Sequence, residues 1–128
     1  MSKEHADKKD FTFTEFQANA VRTLNPALDN FDAQLTNCAL GLTGESGEVA
    51  EIVKHYLTKT HEMTYADGME RVREKIIKEL GDIMWYIAST CHLFGVDMGD
   101  VARANNEKLA KRHGNSFSGH GNRTETGA

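Results

Sequence analysis

The chain has 128 residues, a formal net charge of −4 and a hydrophobic fraction of 39%, which are typical of one ordinary globular domain. The acidic balance gives no basic surface for nucleic acid, and no apolar run is long enough to span a membrane. The first ten residues lack the apolar segment of a signal peptide, so we expect a cytoplasmic protein. Cys38 and Cys91 have no metal-ligand spacing and are predicted to be small core residues.

A single proline and few alternating β-branched runs predict an all-α chain. After a polar, flexible start at residues 1–10, a first helix is expected from about Thr14 to a point before Pro26. Gln17, three residues after Thr14, is placed to complete a capping box.

Three further helices are predicted by their start and stop signals. Asn30 or Asp32 caps a long second helix that runs to about Lys59. Asp67 caps a third helix that ends at Gly95.

The fourth helix completes the predicted domain. Asp97 and Asp100 mark its start, and it closes near Gly114. The domain thus covers residues 11–114, and residues 115–128 form a flexible tail rich in Gly, Ser, Thr and Asn. Short connections between the helices favour an antiparallel four-helix-type bundle.

Two carboxylate pairs, Glu45 with Glu48 and Glu79 with Asp82, stand out within the second and third helices. At this spacing each pair projects from one helix face, and Glu45 and Glu79 fall inside apolar stripes. The stripes comprise Leu42, Val49, Ile52 and Tyr56 around Glu45, and Val72, Ile76, Ile83, Tyr86 and Leu93 around Glu79. An unpaired carboxylate aimed at a core is costly, so the pattern predicts a counter-charge, most naturally a metal ion.

Three glycines lie beside the first acid pair, at Gly41, Gly44 and Gly47. Because glycine destabilises a helix interior, its presence usually indicates close approach by another helix or by a ligand, and we interpret the three as a packing seam beside the acids. The alternative of a phosphate loop fails, because GLTGESG lacks the Gly-Lys-Ser/Thr ending.

The donor set of the four acids contains oxygen alone, which favours magnesium, manganese or calcium over softer metals. A calcium loop of the EF-hand type is absent from the sequence, and no glutamate has the histidine three residues later that di-iron bundles use. Magnesium is the metal that fits best, with manganese as a substitute.

The segment ALGLTGESGEVAE at 39–51 resembles the first metal helix of the MazG-like nucleotide pyrophosphohydrolases, and ELGDIMWY at 79–86 resembles the second. ANNEKL at 104–109, followed by a Lys-Arg pair at 111–112, is similar to the C-terminal helix by which that family contacts substrate. The likeness keeps this order from about Phe13 to Phe117. One departure is the long stretch between the two acid pairs, which enlarges the connecting loop.

This resemblance implies an all-α bundle completed by homo-oligomerisation, as a dimer or tetramer. It further implies that Glu45, Glu48, Glu79 and Asp82 hold magnesium and carry the catalysis. The reaction would convert a (deoxy)nucleoside triphosphate to the monophosphate and pyrophosphate by hydrolysis between the α- and β-phosphates, as in cleansing of the nucleotide pool.

Four other residues are predicted to bind the substrate. Lys108 and Arg112 share a face of the fourth helix and suit phosphate, Asn105 suits base or sugar, and Lys54 is a further phosphate candidate. The aromatic dipeptide at 85–86 is expected to pack in the core rather than stack on a base.

Two other functions fit the same residues. The metal site could act on another phosphorylated nucleotide, such as an alarmone. Alternatively, the chain is a non-catalytic helical oligomerisation module whose carboxylates hold a structural cation.

Overall fold

The computed structural model describes residues 9–58 and 68–114, which form four α-helices and contain no strand. The helices are α1 (Phe13–Val21), α2 (Phe31–Thr58), α3 (Gly68–Leu93) and α4 (Met98–His113). The predicted all-α class is therefore confirmed. The tail predicted at 115–128, and the flexible start apart from residues 9 and 10, lie outside the described residues. Among the helices described, none is long and apolar enough to cross a membrane.

The N-terminal cap of α1 differs from the predicted one. The capping box is formed by Thr12, whose hydroxyl accepts a hydrogen bond from the Glu15 amide at 3.1 Å, while the Glu15 carboxylate accepts one from the Thr12 amide at 3.1 Å. The prediction of Thr14 with Gln17 was wrong by two residues. Both pairs satisfy the same local sequence rule, so the choice depends on contacts elsewhere in the fold.

Thr14 and Gln17 instead join α1 to the turn between α3 and α4. The Thr14 hydroxyl donates to the Asp97 carboxylate at 3.0 Å, and the Gln17 side-chain amide donates to the Val96 carbonyl at 2.9 Å. The Gln17 carbonyl also accepts the Met98 amide at 2.6 Å. These bonds fix the short first helix against the end of the third.

The caps predicted for α2 and α4 are present. Asn30, rather than Asp32, caps α2, since its side-chain oxygen accepts from the Ala33 amide at 2.9 Å. Asp97 caps α4 through a bond of 2.7 Å from the Gly99 amide. Each cap satisfies a backbone donor that the first turn of a helix leaves unpaired.

The helix ends at Gly95 and Gly114 also match the prediction. Gly95 has a φ of +67° after the last turn of α3, and the Val96 amide reaches back to the Cys91 carbonyl at 2.9 Å. Gly114 ends α4 with a φ of +64°. The left-handed region that favours glycine stops both helices. The predicted cap of α3, Asp67, lies outside the described residues.

The two long helices α2 and α3 form an antiparallel hairpin. Gly41 of α2 contacts Tyr86 of α3, and one turn further along α2 Glu45 contacts Glu79. Residue numbers thus rise along α2 while those of their partners on α3 fall. With 28 and 26 residues, each helix is about 40 Å long at 1.5 Å per residue.

The helices α1 and α4 pack on the C-terminal half of α3. A small core joins them, formed by Ala20, Ala88, Cys91 and Met98. The Trp85 indole donates to the Thr23 hydroxyl at 2.7 Å and packs against this core, which confirms its predicted packing role. Cys38 and Cys91 are both buried, as predicted.

Candidate metal centre

Three acids from the two long helices converge near the middle of the hairpin. Glu45 on α2 and Glu79 and Asp82 on α3 each present a carboxylate oxygen, and these oxygens lie within 4.8 Å of one another. Glu45 and Glu79 are half-buried, whereas Asp82 is exposed. Glu45 and Glu79 lie within the apolar stripes of their helices, and these stripes face each other. Both acids therefore lie in the contact between α2 and α3.

A close helix contact one turn away brings these acids together. A Cβ atom added at Gly41 would lie 2.1 Å from Cε1 of Tyr86, so the tyrosine ring occupies the space above the glycine. The ring also meets the Trp85 ring edge-to-face, with centroids 5.0 Å apart. Only a residue without a side chain permits this approach of α2 to α3.

The predicted approach of another helix is confirmed at Gly41 but not at the other two positions, where close approach by a ligand stays a prediction. A Cβ atom at Gly44 or Gly47 would meet no described atom within 4 Å. The reason is geometric: a step of three residues turns about 300° around the helix. Gly47 therefore points about 120° away from Gly41, and the three cannot share one contact line.

The electrostatics of the cluster centre on Glu45. Desolvation raises the pKa of the Glu45 carboxyl above 4.5, and so do a hydrogen bond to Glu79 and the charges of Asp82, Glu79 and Glu48. A hydrogen bond between two carboxyl groups requires a proton on one of them. The cluster therefore favours the arrival of positive charge, whether a proton or a metal ion.

The donor set fits a hard divalent cation. Three carboxylates on two rigid helices supply oxygen ligands alone, which is the preference of magnesium, manganese and calcium. Glu48, the fourth predicted ligand, is exposed and is not one of the three acids that converge. Its charge nevertheless contributes to the raised pKa of Glu45, and its role as a ligand stays a prediction.

The predicted substrate-binding residues lie on α2 and α4. Lys54 is exposed on α2, with its Nζ 3.4 Å from the Glu51 carboxylate. Asn105 and Lys108 are exposed on α4, and Arg112 is half-buried with its Nε buried and without a hydrogen-bond partner among the described atoms. These four assignments stay predictions.

Sequence reasoning missed a row of cations on α3. Arg71, Lys75 and Lys78 precede the acids Glu79 and Asp82 at helical spacing. The signal was present, because Lys75 and Lys78 stand four residues before Glu79 and Asp82 respectively.

Comparison with known proteins gives two similar relatives. The Gene 37 protein of Mycobacterium phage L5 is 35% identical over 80 residues, a match that covers 61% of this chain and 65% of that protein. The uncharacterized protein YvdC of Bacillus subtilis strain 168 is 32% identical over 72 residues, covering 56% of this chain and 68% of YvdC. The chain thus spans just under two thirds of the phage relative's length. No solved structure matches significantly.

The family comparison identifies the domain itself. The model of the MazG nucleotide pyrophosphohydrolase domain matches residues 34–117. This range contains α3, α4 and all of α2 except its first three residues, and it includes all three converging acids. The chain therefore belongs to the MazG nucleotide pyrophosphohydrolase family.

Proposed function

We propose that the chain hydrolyses a (deoxy)nucleoside triphosphate between its α- and β-phosphates, in a magnesium-dependent reaction that yields the monophosphate and pyrophosphate. The observation that carries the proposal is the convergence of Glu45, Glu79 and Asp82 within 4.8 Å, in a chain of the pyrophosphohydrolase family. Removal of unwanted triphosphates from the nucleotide pool is the cellular role that suits this reaction.

Magnesium would be held by Glu45, Glu79 and Asp82, with Glu48 as a fourth ligand from the next turn of α2. Few carboxylates together with substrate phosphates are the usual ligands of this ion, and manganese can replace it. When bound, a divalent cation offsets the charge of the phosphates and favours ionisation of a nucleophilic water.

The residues of the chain orient the reactants and accept a proton. Water adds to the α-phosphorus and gives its proton to a carboxylate of the cluster, and the bond from the α-phosphorus to the bridging oxygen breaks. The electron pair of that bond leaves with pyrophosphate. Lys108, Arg112 and Lys54 would contact phosphates, and Asn105 would bind the base or sugar.

We also propose that the chain acts as a homo-oligomer, a dimer or tetramer. Among the described residues, no large side chain is fully buried. Large apolar side chains remain exposed on the half of the hairpin that α1 and α4 do not cover. This uncovered apolar face comprises Val53, Leu57, Met69, Ile77 and Leu80. A second copy of the hairpin has the matching apolar face and would complete a four-helix bundle.

The test of the reaction is a product assay. The purified chain is incubated with a panel of ribo- and deoxyribonucleoside triphosphates, and pyrophosphate and orthophosphate are measured separately. We expect pyrophosphate and monophosphate in equal amounts with magnesium, and none after chelation. Orthophosphate release instead would move the scissile bond, and no turnover of any triphosphate would overturn the proposal.

A further inference from the structure

The feature that the proposed reaction leaves unexplained is the basic row, defined as Arg71, Lys75 and Lys78 on α3. At about 100° per residue these three side chains fall within about 60° of one another around the helix, and Asp82 lies in the same sector. Lys78 is exposed, and Arg71 and Lys75 are half-buried. The basic row and the acids are therefore parts of one continuous surface of α3.

The row runs along the helix away from the acids. Lys78 precedes Asp82 by four residues and Lys75 precedes Glu79 by four, a distance of about 6 Å along the helix in each case. Arg71 lies one further turn towards the N-terminus. Since α1 and α4 pack on the C-terminal half of α3, this row occupies the half that they leave uncovered.

A simple alternative is that the lysines only neutralise the acids. A lysine four residues before an acid is the weaker of the two helical orders for such a pair. Because Arg71 lies about 12 Å before Glu79 along α3, neutralising the acids does not account for the whole row.

The chemistry of the reaction suggests a second role for these cations, which is to bind the departing pyrophosphate. Cleavage at the α-phosphorus leaves a pyrophosphate whose negative charge grows as the bond breaks. Fixed cations beside the departing group stabilise that charge and bind the same phosphates in the substrate. Lysine binds phosphate as a compact point charge, and the row begins one helical turn from the acids.

We propose that Lys75 and Lys78 form a pyrophosphate subsite, which binds the β- and γ-phosphates so that the triphosphate extends from the acids towards the N-terminus of α3, with Arg71 at its far end. This inference rests on the proposed function and deepens it. It assigns the leaving group to α3, whereas the phosphate residues predicted from sequence lie on α2 and α4.

The test uses the full chain with Lys75→Gln, Lys78→Gln and the double variant. Lys9→Gln, an exposed lysine that precedes α1, is the matched control. Three quantities are measured: kcat/KM for a triphosphate that the wild type hydrolyses, product inhibition by pyrophosphate and by the monophosphate, and calorimetric binding of magnesium pyrophosphate without nucleotide.

Loss of one charge-assisted contact to phosphate should lower kcat/KM about tenfold for each single variant, with a similar rise in the pyrophosphate inhibition constant. Monophosphate inhibition should change less than about twofold, because the α-phosphate and nucleoside do not touch the row. The Lys9 variant should behave as wild type. Lys75→Arg and Lys78→Arg keep the charge and should retain pyrophosphate binding within about threefold.

Unchanged pyrophosphate affinity in the double variant would overturn the subsite, and so would equal losses for pyrophosphate and monophosphate. A change in magnesium affinity alone would show that the lysines act only as counter-charges, which also overturns it. Failure of the proposed function can be distinguished from failure of the subsite, because in that case the wild type itself would release no pyrophosphate from any triphosphate. Circular dichroism of the Gln variants separates loss of binding from loss of fold.

Discussion

The protonation of Glu45 links the acid cluster to the stability of the chain. Burial and the neighbouring acids raise the pKa of Glu45 above 4.5 in the folded state. Between 4.5 and that raised pKa, the folded chain keeps a proton that the unfolded chain has lost. The free energy of unfolding should therefore fall as the pH rises through this window when no metal is present.

Thermal unfolding with a chelator measures this effect. We expect the Tm of the wild type to decline with rising pH above 4.5 relative to that of Glu45→Gln, which has no proton to lose at this position. Magnesium competes with the proton, so it should stabilise the wild type most at neutral pH, by about 2.7 kcal/mol at 100 times its Kd. Parallel pH profiles for the two proteins, or equal stabilisation by magnesium, would contradict this account.

The separate contributions of the acids can be tested one residue at a time. Asp82→Asn and Glu48→Gln keep the size of the side chain and remove its charge, and we expect each to lower turnover by roughly 100-fold or more. Helical content by circular dichroism should stay near that of the wild type. Glu51→Gln is the matched control, because Glu51 is exposed and pairs with Lys54 and His55 on its own helix.

Full activity in both Asp82→Asn and Glu48→Gln would remove the metal assignment. Activity lost in Asp82→Asn but kept in Glu48→Gln would restrict the centre to the three acids that converge. A loss in Glu51→Gln as large as in the others would point to general surface charge rather than to a site.

At the scale of the helices, the contact of α2 with α3 depends on the glycine at its tightest point. Gly41→Ala places a methyl group 2.1 Å from the Tyr86 ring, which must then shift against Trp85. Overpacking of this kind costs about 1–3 kcal/mol of the free energy of unfolding. Because the contact lies one turn from Glu45, we also expect weaker magnesium binding.

Gly44→Ala is the control for this prediction. It lies on the same helix and meets no described atom within 4 Å, so the better helix propensity of alanine should stabilise it by up to about 1 kcal/mol. Urea unfolding of both variants gives the comparison. Equal stability changes of the same sign at the two positions would show that helix propensity, rather than the contact with Tyr86, dominates at Gly41.

The helices show which parts of the fold local sequence rules can determine. The caps at Asn30 and Asp97 and the stop at Gly95 follow from short-range chemistry, because each side chain or φ angle acts within a few residues of itself. The choice between Thr12 and Thr14 as the cap of α1 does not. Both fit the local rule, and hydrogen bonds to the α3–α4 turn, far along the chain, settle it.

The candidate site was predictable to a similar degree. Apolar periodicity placed Glu45 and Glu79 on inward faces, and the structure brings them together. The same periodicity could not separate Glu48 from the other acids, because its exposure depends on how the two helices are rotated against each other. For the same reason, the sequence could not predict that the Tyr86 ring packs on Gly41.

At the scale of the whole molecule, the uncovered apolar face remains exposed to solvent in a single copy of the chain. Leu57 is 68% exposed and Ile77 is 50% exposed, and both belong to the half of the hairpin that α1 and α4 do not reach. Solvated apolar surface of this extent usually marks an interface.

Light scattering of the wild type should therefore give a mass of at least twice 14.2 kDa. Leu57→Lys and Ile77→Lys place a charge in the apolar interface, and because burying an unpaired charge is costly, we expect them to shift the mass towards that of one chain. Leu40→Lys is the matched control, since Leu40 is 69% exposed but points about 140° away from Val53 around α2. A wild type of 14.2 kDa would refute the assembly, whereas dissociation by Leu40→Lys as well would place the interface on another face of the hairpin.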